Sequence, residues 1–258
     1  MKFNTITLFC LLFSGFANAQ IHYVNQNSTG ANNGSSWQDA WTNLQTALQN
    51  TSSGEIWVAE GTYKPTDVAD RNAVFELETN VSLYGGFPAV GNPLWGQRDW
   101  ESFPTILSGD IGLENDTSDN SFHVVSFYST SGLEITFDGF TIEQGNADYA
   151  GGGMEGSGGW FGIAPSITVS NCIFRNNFSG YVGGAVSFRS IMAVFNNCLF
   201  ENNYSKYSGA GLEVSGNSMS LDNKTALNNC VFRNNFSGYQ GAAISSSWMD
   251  LEIDQCLF

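Results

Sequence analysis

Apolar residues in the second half of the chain come in alternations a few residues long, separated by polar turns. Ala185-Val186-Ser187-Phe188 alternates within NCIFRNNFSGYVGGAV, residues 171–186. Nearly the same string returns as NCLFENNYSKYSGAGL at 197–212 and NCVFRNNFSGYQGAAI at 229–244, and QCLF at 255–258 opens another copy. Aligned on their cysteines, Cys172, Cys198, Cys230 and Cys256 lie 26, 32 and 26 residues apart. An earlier copy, DGFTIEQGNADYAGGGM, puts Phe140 in the cysteine's place. Two positions past each anchor stand Ile142, Phe174, Phe200 and Phe232. Nine past stand Tyr149, Tyr181, Tyr207 and Tyr239, and eleven past stand Gly151, Gly183, Gly209 and Gly241.

No copy keeps apolar residues at a 3.6-residue period, and each carries glycines and polar bend residues, so the unit is not helical. The pattern predicts three short strands per coil, with coils stacked in parallel at about 4.8 Å so that like residues lie on like. One such coil cannot bury its own core, but several stacked together can. The expected fold is therefore all-β, a parallel β-helix over residues 61–258, with the clearest repeats at 138–258. The Ile/Phe column fills the interior, each side chain contributing roughly 2–3 kcal/mol on burial. The second residue of each Asn pair (Asn177, Asn203, Asn235) is assigned to a left-handed bend, its amide able to bond along the stack. The glycine column marks another bend. One step beyond the Ile/Phe column, Glu143, Arg175, Glu201 and Arg233 alternate in sign. They predict an exposed ion ladder, each contact worth about 0.2–1 kcal/mol.

The front of the chain breaks this pattern. SSWQDAWTNLQTALQN, residues 35–50, places Trp37, Ala40, Trp41, Leu44, Ala47 and Leu48 on one helical face. Ser35 with Gln38, or Ser36 with Asp39, supplies a capping-box start. Residues 20–60 are read as a cap and first strands, with helix 35–50 laid over the open end of the stack. No matching lid can be read near Leu257-Phe258, so the C-terminal end is expected to be uncapped, as in a fragment of a longer protein. Ahead of all this, Lys2, the apolar run Ile6–Phe16 and Ala17-Asn18-Ala19 read as a secretory signal peptide over residues 1–19. The run is too short to span a bilayer, and no transmembrane segment is expected after cleavage. The expected location is extracellular or the outer cell surface.

Charge narrows the partners. With 24 acidic and 9 basic side chains the net charge is −15. That argues against nucleic acid, whose phosphates need a basic surface, and suits solubility and divalent cations. Glycine is abundant at 29 residues, and the 14% aromatic content argues against disorder.

The strings FRNN…GGAV, FENN…GAGL and FRNN…GAAI resemble the F-x-x-N…G-G-A-[ILV] repeat of the chlamydial polymorphic outer-membrane proteins, over about residues 137–258. EIWVAEGTYKP, VSLYGGF and ILSGDIG…DNSFHVV are similar to the front end of secreted bacterial right-handed parallel β-helix proteins of the pectin-lyase-like fold. The resemblance implies right-handed coiling and an adhesive surface role. It also implies an alternative, since enzymes of that fold pair a basic proton acceptor with calcium held by acids.

Candidate chemistry is sparse. Four cysteines in one column of a stack suit a buried, reduced ladder better than bridges. The only histidines, His22 and His123, lie far from that column in sequence. In GDIGLENDTSDNS, Asp110, Glu114, Asp116 and Asp119 are either a Ca²⁺ site or a solvated loop; no other cofactor is expected. The tyrosines Tyr149, Tyr181, Tyr207 and Tyr239 either offer flat faces to a sugar chain or pack on one another at a bend. The longer coils add about six residues near Gly156–Gly162 and Gly216–Asn223, with Trp160 and Phe161 on the first. Such insertions are expected to project from one face and to contact ligand. Two functions follow. One is a non-catalytic, monomeric protein that adheres to extracellular polysaccharide or a host or cell surface. The alternative is a polysaccharide lyase or glycoside hydrolase, for which no acid–base pair can be chosen without geometry.

Overall fold

The computed structural model describes residues 20–216 and 224–258, and residues 160–162 by backbone alone. Residues 1–19, read above as a signal peptide, and most of the Gly216–Asn223 insertion lie outside the described residues. The chain winds through four sheets, in which every pairing is parallel. The first sheet has eight strands, from Ile21–Val24 to Asp250–Asp254. The second has six, from Gly61–Tyr63 through Ile173–Arg175 and Leu199–Glu201 to Val231–Arg233. The third has four strands of two residues, at Asn146–Ala147, Phe178–Ser179, Tyr204–Ser205 and Phe236–Ser237. The fourth has six, including Met154–Ile163, Val186–Arg189 and Leu212–Ser215. The clear repeats thus hold four strands per coil, not the three expected; a two-residue strand is too short to leave a period in the sequence.

The repeat columns become stacks. Ile142, Phe174, Phe200 and Phe232 pair in register on the second sheet. The phenylalanine rings stack at 5.1 and 4.5 Å inside the core. Cys172, Cys198 and Cys230 are buried, and these three and Cys256, the whole cysteine column, are free thiols. Their Sγ atoms turn to main-chain carbonyls, as Cys198 does to Val169 at 3.5 Å. Burial pushes the Cys172 thiol up to about 12, so its reactive thiolate is scarce.

The asparagine pair divides its labour, which corrects the sequence assignment. The first residue takes the left-handed bend: Asn176, Asn202 and Asn234 have φ of 55°, 54° and 53°. The second turns inward as an amide ladder. Asn203 Oδ1 accepts from Asn177 N and Nδ2, both at 3.1 Å, and Asn203 Nδ2 donates to the Phe174 carbonyl at 2.9 Å and to Asn235 Oδ1 at 3.0 Å. The residue before each cysteine makes another left-handed column: Asn171, Asn197, Asn229 and Gln255. Asparagine tolerates this region best among residues with a Cβ.

The charge ladder is in register but closes in pairs. Arg175 meets Glu143 at 2.7 Å and Arg233 meets Glu201 at 2.6 Å. Arg175 stands opposite Glu201 in the register without an ion pair.

The N-terminal helix is shorter than residues 35–50. It spans Leu44–Asn50, capped by Asn43 Oδ1 accepting from Thr46 N at 3.0 Å. The Ser36–Asp39 pair does form, with Asp39 N donating to Ser36 Oγ at 3.1 Å. No helix follows, because the 30–34 loop captures the carbonyls of Gln38 and Asp39 through Gly30, Asn33 and Gly34 N–H groups. Leu44, Ala47 and Leu48 still enter the main core beside Val24 and Ile56, at the first-strand end of the stack. Trp37 instead joins a separate cluster with Trp57, Ala59 and Phe87.

Candidate functional site

The second sheet's outer surface carries a row that is aliphatic but for one threonine. Ile106, Thr141, Ile173, Leu199 and Val231 follow one another in register, outward of the buried Ile/Phe column. At the head of the row a groove of about 490 Å³ opens between the sheet and the loop carrying Trp100. Its floor is Ile106, Ile173 and Leu199, and its rim holds Glu101, Asn171, Asn197 and Arg175. Trp100, which walls the groove, is itself 38% exposed.

Local chemistry holds Trp100 there. Asp99 accepts from the N–H groups of Glu101 and Ser102 at 3.0 and 3.1 Å and from Ser102 Oγ at 2.8 Å, which folds the loop into a tight turn. These bonds hold the Asp99 carboxyl below its ordinary range. Behind the loop, the Arg98 guanidinium is nearly buried and pairs with Asp138. It lies 5.3–5.5 Å from the rings of Tyr84, Trp95 and Trp100. Gly139, at φ 80°, leaves it room; a Cβ there would collide with the guanidinium. Asp138 Oδ1 also accepts from Asn171 Nδ2 at 3.0 Å, and Asn171 Oδ1 from Asn197 Nδ2 at 3.3 Å. The buried cation is thus joined to the groove's rim by a chain of hydrogen bonds.

Sequence reasoning missed this site. Trp100 and Arg98 come from a loop outside the repeats, so no column announces them. The cue present in the sequence was the cluster of Trp95, Arg98 and Trp100 just ahead of the first regular coils.

The predicted tyrosines do come together. Tyr149, Tyr181, Tyr207 and Tyr239 form one external stack with centroids 4.9, 4.9 and 4.8 Å apart. Exposure is 60% and 70% at the ends but 38% and 39% in the middle. The rings cover one another's faces, so the column shows edges to solvent except at Tyr149 and Tyr239. A second stack, Phe178–Tyr204–Phe236, rises three residues earlier in each coil, with centroids 5.3 and 5.5 Å apart. Trp160 and Phe161 lie on the strand Met154–Ile163, but their side chains are outside the described residues.

The acidic loop uses its carboxylates on itself. Asp110 accepts from Asn115 N at 3.0 Å, Asp116 from Ser118 N at 2.9 Å and Asp119 from Leu113 N at 2.8 Å, while Glu114 is exposed. Among the described residues no three His, Cys, Asp or Glu side chains are grouped to share a metal ion.

One carboxylate stands apart. Burial raises the Glu213 carboxyl above 4.5, opposed in part by the Ser187 hydroxyl, which donates at 2.8 Å, and by Arg189. A carboxyl raised in the folded state binds protons more tightly there than in the unfolded chain. Its stabilising contribution is present below the ordinary glutamate pKa and is lost as pH rises through the raised value. Glu213→Gln is therefore expected to melt higher than the native protein at neutral pH and level with it in acid below 4.5. Parallel thermal melts at the two pH values check this; an equal gap at both would contradict it.

Residues 106–258 match the family model for the right handed beta helix region. No curated protein and no solved structure matches the chain. The match covers more than half of the sequence and spans the coils whose register is described above, and the chain belongs to the right-handed β-helix family.

Proposed function

We propose that this is a secreted or cell-surface β-helix that binds glycan without cleaving it, and that the sugar lies in the Trp100 groove. The observation that carries the reading is an exposed tryptophan beside an apolar floor, rimmed by the planar amides of Asn171 and Asn197. A sugar ring has an apolar C–H face and a hydroxyl edge; an indole suits the first and amides the second. The floor belongs to parallel strands, so the platform is rigid before ligand arrives. The net charge of −15 and the pairing of Arg175 with Glu143 favour a neutral polysaccharide over a uronate. The leader-like residues 1–19 and the polymorphic-protein-like repeat support the surface role. Among the described residues no helix is long and apolar enough to cross a membrane.

Affinity electrophoresis in gels containing neutral polysaccharides or polygalacturonate tests the reading, with and without a chelator for Ca²⁺. Neutral glycan should retard the native protein. Trp100→Ala should weaken that retardation about 30-fold, the effect of losing a central aromatic contact of about 2 kcal/mol. Equal retardation of native and variant, or none in any gel, would remove the groove as the site. Retardation that survives the chelator would leave Asp110–Asp119 as a loop without a part in binding.

A second reading, a glycoside hydrolase, draws on Glu213. Glu155 and Glu213 face outward from the fourth sheet, in register through Ser187. Two strand spacings put their backbones roughly 10 Å apart, near the scale of about 6.5–9.5 Å that separates the carboxyls of inverting hydrolases. New reducing ends that appear with the native protein and vanish with Glu213→Gln would establish this reading over the first.

A further inference from the structure

We propose that the external tyrosine stack is a site of oxidative cross-linking, where neighbouring coils are joined as dityrosine by a peroxidase-class one-electron oxidant and hydrogen peroxide. Four phenol rings stand in an unbroken column at 4.8–4.9 Å, within 12–24° of parallel, each at least 38% exposed. No other tyrosine combines these properties. Tyr63 is buried, and Tyr204 is stacked between Phe178 and Phe236, which cannot couple in this way. Tyr128 is 65% exposed, but it is in none of the ring pairs of the described residues.

The step balances simply. Each of two tyrosines gives up one electron and its phenolic proton to the oxidant. The two phenoxyl radicals then form a carbon–carbon bond between ring positions beside the oxygens. The hydrogen displaced from each of those carbons returns to oxygen, restoring both hydroxyls. One hydrogen peroxide accepts two electrons and two protons and leaves as two water molecules. The exposed ring edges are where the new bond forms, and the exposed side chains can turn to bring those carbons together.

Placement makes the reaction intramolecular. Neighbouring rings held by stacked coils meet at an effective concentration of about millimolar or more, about a thousandfold above a micromolar solution of separate molecules. Each link would tie residues 26 or 32 positions apart and so fasten adjacent coils on their outer surface.

The test treats the native chain at micromolar concentration with peroxidase and hydrogen peroxide. Dityrosine fluorescence, denaturing gels and mass mapping of linked peptides are the readouts. The expected product is a monomer with links between Tyr149 and Tyr181, Tyr181 and Tyr207, or Tyr207 and Tyr239. The double variant Tyr181→Phe, Tyr207→Phe keeps the ring stack but leaves Tyr149 and Tyr239 about 14 Å apart by strand spacing. Its dityrosine yield should fall about tenfold or more, because only collisions between molecules remain. Tyr128→Phe should match the native yield. An unchanged yield in the double variant, links that map to Tyr128, or dityrosine found mainly in dimers would overturn the proposal.

Discussion

Asn203→Ala will lower the stability of the coils by about 3–4 kcal/mol, from two newly unsatisfied buried groups at about 1–3 kcal/mol each and a small cavity. The side chain is 1% exposed and makes four hydrogen bonds to three neighbours. Its loss leaves the Asn177 main-chain N–H without that acceptor and the Phe174 carbonyl without that donor, where water does not reach. Asn177 Nδ2 keeps its bond to Ile142 O at 3.0 Å, and Asn235 Oδ1 keeps the Asn203 N–H, so the damage is confined to those two groups. Asn235→Ala supplies the contrast: that residue is only half-buried, so water replaces part of what is lost and the cost should be about half. Urea unfolding, with the slope compared as well as the midpoint, measures both. Hydrogen exchange at the Asn177 amide shows whether the loss is local, as stacked repeats allow. A cost under about 1 kcal/mol for Asn203→Ala would mean that the ladder is decoration on a stack held by its phenylalanines.

The same residue shows what a sequence of this kind exposes and what it conceals. Stacking like on like turns geometry into repetition, so the phenylalanine core, the glycine bends, the cysteine column and the tyrosine stack could be read directly from spacing. What the two asparagines of each pair do could not. Either asparagine fits a left-handed bend, and only the path of the backbone decides that Asn202 bends while Asn203 turns inward. The helix was over-read for a related reason. Its apolar period runs from Trp37, but the 30–34 loop takes the carbonyls that the first turns would have used. The tyrosine column was legible as a column. That its rings face one another, and so withhold their flat faces from a ligand, depends on the 4.8–4.9 Å stacking distance. The groove left no periodic trace, because Trp100 lines it together with Asn171 and Asn197 from a loop more than 70 residues earlier.

Arg98→Ala will cost about 3 kcal/mol and empty the groove of its wall, because one buried guanidinium holds both. It donates to the Gly85 carbonyl at 2.5 Å and to the Asp138 carbonyl at 2.8 Å, and it pairs with the Asp138 carboxylate. Without it, Asp138 keeps a largely buried charge whose remaining partner is the Asn171 amide. The rings of Trp95 and Trp100 also lose the cation that lies 5.3 Å from each. Arg98→Lys keeps the charge but not the planar fork that reaches two carbonyls and a carboxylate, so it should recover less than half of the stability. Urea unfolding reads the stability, and retardation by neutral polysaccharide reads the groove. The two readouts separate the roles of Arg98 and Trp100. Trp100→Ala should weaken retardation while leaving the unfolding midpoint nearly in place, since the ring is partly exposed. Arg98→Ala should move both. If it moves stability alone, Trp100 and Asn171 hold their positions without the cation, and the hydrogen-bonded chain from Arg98 through Asp138 to the rim belongs to the fold and not to the binding of ligand.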